Sequence, residues 1–139
     1  MLLAVALAGT SIVSAADDPF RSIVAPVLAR RCLSCHADDE RKGGLSLQSA
    51  EALAGGDSGA LVEPGDPDAS LLIEMIEPTD GSAAMPEEAD PLDRDSIDAI
   101  RAWIADGARW PDGFRIEKPT VADLDWWSLR PLHRPDLPE

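Results

Sequence analysis

Apolar residues recur at helical spacing in three stretches of this chain, with polar, Gly- and Pro-rich sequence between them. In the first, Phe20, Ile23, Val24, Val27 and Leu28 line one face, predicting a helix to about Arg31. Asp17-Asp18-Pro19 supplies its start, an Asp at the N-cap and Pro at the first helical position. Pro26 lies inside the run. It lacks a backbone donor and is expected to kink or loosen the helix. The second stretch, Leu71-Leu72-Ile73-Glu74-Met75-Ile76, predicts a helix from Ala69 to about Glu77, started by Asp68 or Ser70 and ended by Pro78. The third is the clearest. Ile97, Ile100, Trp103 and Ile104 form a stripe at i, i+3, i+6 and i+7, which is the amphipathic pattern of a surface helix. Asp93 or Asp95 caps it, Gly107 takes the C′ position, and Trp110-Pro111 follows.

The segments between read mostly as loops. Ala37 to Gly44 is polar and ends in two glycines, and Leu45-Ser46-Leu47 is a short extended piece. Ser49 is placed to cap a short helix over Ala50 to Ala54, ended by Gly55-Gly56. Residues 57–68 and 79–92 carry no period and are loop. No internal repeat and no convincing strand is present, so the expected class is all-α. A length of 139 residues suits one domain with a modest core.

The N-terminus differs from the rest. Residues 1–16, MLLAVALAGTSIVSAA, contain no charge and are too short to span a bilayer. They fit the apolar part of a signal peptide, with small-residue cleavage sites at Val13-Ser14-Ala15 or Ser14-Ala15-Ala16. The usual basic n-region is missing, and an uncleaved membrane-tethering segment is the alternative. Net charge is −14, which argues against nucleic acid as a partner, because a phosphate backbone requires Lys and Arg. Acidity of this kind keeps a protein soluble and attracts basic protein surfaces.

The chain has two cysteines, both within Cys32-Leu33-Ser34-Cys35-His36. That spacing is the pattern of covalent c-type haem attachment. Thiols at i and i+3 can form thioethers along one edge of a porphyrin, and the next residue brings an imidazole beneath the iron. His36 is thus the proximal axial candidate, with Cys32 and Cys35 the haem-binding thiols. A thioredoxin-like pair would need strand–helix context and leaves His36 without a role. A zinc site wants four ligands, and the only other histidine is His133. A structural disulfide is possible in an exported chain.

Iron in electron-transfer cytochromes commonly takes one His and one Met. Met75 lies in an apolar helical run and reads first as core filler. Met85 lies in a loop, Ser82-Ala83-Ala84-Met85-Pro86, where the following Pro restricts the backbone. Met85 is therefore the distal candidate, with His133 as runner-up. Trp103 reads first as core, facing either Phe20 or a haem edge. Asp38-Asp39-Glu40 and Glu87-Glu88 read first as solvated loop faces, and Trp126-Trp127 as anchors of the Pro-rich tail.

With these pieces in order, the chain resembles the planctomycete-type cytochrome c domain, a class I-like module. The matching pieces are Val24-Ala25-Pro26-Val27-Leu28, Arg31 to His36, Lys42-Gly43-Gly44-Leu45-Ser46-Leu47 and Gly55-Gly56-Asp57-Ser58-Gly59. They continue with Pro64-Gly65-Asp66-Pro67 through Leu72, then Met85-Pro86, then Trp103-Ile104-Ala105-Asp106-Gly107-Ala108-Arg109-Trp110-Pro111. The resemblance implies a cytochrome c-like fold, with crossed first and last helices around one covalently bound haem c. It implies His36 and Met85 as axial ligands, and a larger exported protein of which this is the N-terminal part. The family often has a second Pro after Met-Pro, where this chain has Glu87.

The expected organisation is thus a signal peptide over 1–16, a cytochrome c domain over 17–113, and a Pro-rich tail or linker over 114–139. The expected function is electron transfer by a non-enzymatic carrier on the periplasmic or cell-surface side. Its expected partner is a redox protein, one that presents a basic docking surface. Membrane association is expected only if the signal segment stays uncleaved. The rival readings are a haem sensor or small haem enzyme with a displaceable distal ligand, and an interaction module in which haem serves as core.

Overall fold

The fold was analysed on a computed structural model that describes residues 18–87 and 89–119. The N-terminal apolar segment, Asp17, Glu88, Trp126, Trp127 and His133 lie outside the described residues. The described residues are helical, joined by long loops, and contain no strand, only isolated bridges at Gly56–Gly59 and Thr79–Ser82. The all-α class therefore stands. No described helix is long and apolar enough to cross a membrane.

The first helix begins as the Asp-Pro pair predicts. The Asp18 carboxylate accepts the Phe20 N–H at 3.0 Å, and its carbonyl accepts the Ser22 N–H at 3.1 Å. Phe20–Val24 then forms a π-helical turn, and α1 follows over Ala25–Arg31. The turn is wide because of Pro26. Its ring has no N–H to donate and would crowd the carbonyl four residues back. The ladder loosens one residue earlier, where the Ala25 N–H reaches the Phe20 carbonyl. The loosening expected at Pro26 is thus present, displaced into the preceding turn.

The expected helix at Ala69–Glu77 is shorter, α2 spanning Leu71–Ile76. Ser70 causes this. Its backbone is extended, and its hydroxyl is drawn back to the Asp66 carbonyl at 2.8 Å while accepting the Glu63 N–H at 2.9 Å. Residues before Leu71 are thereby held in turns. The segment Ala50–Ala54 forms 3₁₀ turns, with Ser49 preceding them but making no side-chain cap. The last helix, α3, spans Arg94–Ala105, and Asp93 caps it by accepting the Ser96 N–H at 2.8 Å. Its C-terminus closes with Ala108 N–H on the Trp103 carbonyl and Gly107 N–H on the Ile104 carbonyl, at 2.9 Å each. Gly107, at φ 95°, provides the left-handed residue that this double closure needs.

The N-terminal π turn packs against α3, and α2 packs against α3 as well. Phe20 is the pivot. Its ring lies 5.2 Å from Trp103, 4.5 Å from Trp110 and 5.8 Å from Phe114. Trp103 is thus a core residue on the Phe20 side, and its indole N–H is satisfied by the Arg109 carbonyl at 2.9 Å. Around this aromatic group lie Leu28, Leu33, Ile97, Ile100 and Ile104, each essentially inaccessible to water. Burying an aliphatic or aromatic side chain of this size stabilises by about 1.5–3 kcal/mol. Residues 114–119 stay on the domain. Ile116 is buried, its N–H donates to the Gln48 carbonyl at 2.9 Å, and Arg115 and Lys118 pair with Asp38 and Asp39.

Candidate functional site

Cys32 ends α1, and the chain coils on through one more turn. His36 N–H donates to the Cys32 carbonyl at 2.9 Å and Cys35 N–H to the same oxygen at 3.1 Å. This helical closure sorts the side chains. Leu33 and Ala37, four apart, are fully buried and anchor the turn to the core. Cys32, Cys35 and His36 fall at i, i+3 and i+4, positions that share the other face, and all are half-exposed. Both thiols are free. Burial pushes the Cys32 thiol up to about 11, a rise that the neighbouring Arg31 charge only partly offsets.

The segment after the turn wraps back over it. Lys42 N–H donates to the Cys35 carbonyl at 3.0 Å and Leu47 N–H to the His36 carbonyl at 2.8 Å. The glycines make this return possible. Gly43 and Gly44 have φ of 64° and 69°, a region where a side chain is strained. Their bend turns the Lys42 carbonyl to the His36 ring, with Nδ1 at 3.0 Å from the oxygen. A carbonyl only accepts, so Nδ1 carries the proton. In a neutral imidazole Nε2 then holds the free lone pair. This is the arrangement by which proteins orient a metal-bound histidine.

Met85 sits in the loop between α2 and α3, half-buried against the edge of the core that Cys32 also borders. Its N–H donates to the Met75 carbonyl at 2.8 Å. Met75 lies in the last turn of α2, where carbonyls have no partner within the helix, so the loop satisfies one of them and is held by it. The Met85–Pro86 peptide is cis. Two thiols and an imidazole lone pair on one face, with a thioether sulfur on a separate tethered loop, form a donor set that fits a covalently attached haem.

Other assignments find less support. Among the described residues no group of three or more His, Cys, Asp or Glu could hold a metal ion, and His133, the other histidine a zinc site would draw on, lies outside them. Among the described residues no strand precedes Cys32, as a thioredoxin-like pair would need. A cavity of about 600 Å³ lies elsewhere, among Asp38, Arg41, Ser46, Glu51, Trp110 and Arg115, and neither the Cys32–His36 turn nor Met85 lines it. The loop acids Asp38 and Asp39 are exposed, as expected. They are also partnered, Asp38 with Arg115 and Asp39 with Lys118. Sequence reasoning missed the Lys42 carbonyl. The signal was the pair Gly43-Gly44, seven and eight residues past His36, which marks a bend that returns the chain.

No curated protein and no solved structure matches the chain at a significant level. Residues 32–88 match the model of the family described as Planctomycete cytochrome C. The match begins at Cys32 and runs through the Lys42 bend to the Met85 loop. Over residues 32–88 the chain is similar to this family, and the match supports a planctomycete-type cytochrome c domain there.

Proposed function

We propose that the domain is a single-electron carrier with one haem c. Cys32 and Cys35 hold the porphyrin through thioethers, His36 Nε2 is one axial ligand of the iron, and Met85 sulfur is the other. The observation that carries this reading is the hydrogen bond from His36 Nδ1 to the Lys42 carbonyl. It fixes the tautomer that leaves Nε2 as a ligand, and it lies on the face that holds both thiols. When bound, the haem supplies a one-electron iron couple whose potential follows the axial ligands and their hydrogen bonds. With the protein filling both axial positions, the chain binds no substrate at iron and acts as a carrier rather than an enzyme.

The packing of Phe20 on Trp103 and Trp110 supports a cytochrome c-like fold, in which the first and last helices cross. Export to the periplasmic or cell-surface side accords with the family and with the uncharged N-terminal segment. A net charge of −14 favours a redox partner with a basic docking surface, because complementary charge raises encounter rates. The test is the spectrum. The reduced wild type is six-coordinate and low-spin, and Met85→Ala loses that state and binds carbon monoxide rapidly. An unchanged spectrum in Met85→Ala removes Met85 from the site.

A further inference from the structure

The loop that carries Met85 is tied down at three places. At its base, Arg94 on α3 pairs with Glu77 just past α2 at 2.8 Å. Glu77 is also held by Arg101, at 2.9 Å. On its ascending limb, Met85 N–H is bonded to the Met75 carbonyl. These two ties fix the loop to α2 and α3, and neither joins it to the turn that bears the cysteines. The third does. Arg31 is the last residue of α1 and immediately precedes Cys32. Its guanidinium Nη2 donates to the carbonyl oxygen of Asp90, on the descending limb five residues past Met85. The same cation acts on the Asp93 carboxyl, which caps α3 where the loop ends.

Arg31 is suited to this span. Its planar fork presents several donors on a long stem, so one side chain can serve a carbonyl while its charge faces a carboxylate. The contact joins residues 59 positions apart. A loop held only at its base and ascending limb can still swing its far limb outward. One held also at Asp90 cannot do so without breaking a charge-assisted hydrogen bond.

We infer that Arg31 is a positioning residue, a latch that closes the Met85 loop onto the Cys32–His36 turn and limits access to the iron from that side. The inference rests on the proposed haem site for its consequence at iron, and on the Arg31–Asp90 contact for the latch itself. Arg31 touches no reacting atom. It acts through the loop.

The test uses the haem-loaded protein as wild type, Arg31→Ala and Arg31→Lys. Amide hydrogen exchange at Met85 and its neighbours reports the loop directly, and the rate of carbon monoxide binding to the ferrous form reports access to iron. Loss of a hydrogen bond to a charged, half-exposed donor predicts about a threefold to tenfold rise in both rates for Arg31→Ala. Arg31→Lys, which keeps the charge, falls between, and exchange in the C-terminal half of α3, away from the Asp93 cap, is unchanged in both variants. Should Arg31→Ala fail to fold, Arg31→Gln replaces it in the same comparison. Unchanged exchange in the loop overturns the latch. Faster exchange with an unchanged carbon monoxide rate overturns its control of the iron. A wild-type spectrum in Met85→Ala would instead refute the Met85 ligand, while the exchange comparison at Arg31 still decides the latch.

Discussion

His36 Nδ1 and the carbonyl oxygen of Lys42 stand 3.0 Å apart, and the backbone that sets this distance is itself held from outside the site. The Asp57 N–H donates to the Gly43 carbonyl at 2.9 Å. A Cβ on Gly56 would come within 2.3 Å of that same carbonyl oxygen and 3.0 Å of the Leu45 nitrogen. Neither neighbour is a flexible side chain, so the bend must shift to admit it. Gly56→Ala is therefore expected to weaken the His36 hydrogen bond from a position that touches no ligand. A histidine that loses such a bond is a less basic ligand and stabilises ferric iron less. The midpoint potential rises relative to wild type, as redox titration would show. A potential equal to that of wild type would mean the bend does not tune His36.

The aromatic group predicts a stability loss. Among the described residues, Phe20 is the one ring that contacts Trp103, Trp110 and Phe114 together, and it is 1% exposed. Phe20→Ala removes that contact and leaves a cavity, at a cost of about 3–5 kcal/mol. Against a typical domain stability of about 5–15 kcal/mol this is a large fraction. Denaturant unfolding of the haem-loaded protein checks it. A loss comparable to that of an exposed-site substitution would show that the two ends of the domain are joined by other contacts.

Asp93 predicts a pH dependence. Hydrogen bonds from the Ser96 backbone and hydroxyl hold its carboxyl below the usual range. A carboxyl depressed on folding contributes stability above its unfolded value, and loses it as pH falls through its folded value. Asp93→Ala is thus less stable than wild type near neutral pH. The difference shrinks in acid, once the wild-type cap is itself protonated. Melting curves across that range test the sign, and a difference that grows in acid would contradict the cap.

Before haem is attached, Cys32 should be a poor nucleophile. Its thiol rises from an ordinary value of 9.0 to about 11 by burial. At pH 8 that leaves about a hundredfold less thiolate than in the unfolded chain. The neutral thiol favours the fold below the ordinary value, and this contribution is lost as pH climbs through the folded one. Mass-spectrometric alkylation of the folded, haem-free chain, compared with the chain in urea, reads the difference. Equal rates at Cys32 would place its thiol in water.

Much of this was legible in the residues because their physics is local. The Asp18-Pro19 start, the Asp93 cap, the Gly107 closure and the stripe from Ile97 to Ile104 depend on neighbours within two turns, and each sits where periodicity and capping chemistry place it. Pro26 was read correctly as a disturbance, but its effect moved into the preceding turn, since a missing donor is absorbed by whichever residue can reach. Of the two starts read for α2, the structure takes Ser70 rather than Asp68, though the Ser70 hydroxyl bonds backward to Asp66 instead of capping the helix. At the site, the spacing from Cys32 to His36 pointed to the donor face. The Lys42 carbonyl was marked only indirectly, by the bend at Gly43-Gly44, and the Arg31–Asp90 contact was not legible, because it joins distant parts of the chain through a backbone oxygen that carries no residue signature.

The central claim is covalent haem at Cys32 and Cys35 with iron on His36. The most direct measurement is the mass of the intact polypeptide after denaturation and acid–acetone extraction, on protein exported from a host equipped for c-type haem attachment. One haem is expected to stay on the wild-type chain and none on a Cys32→Ala/Cys35→Ala double variant, with a reduced alkaline pyridine spectrum typical of two thioethers. A wild-type chain that gives up its haem to the solvent, or carries none, would contradict it.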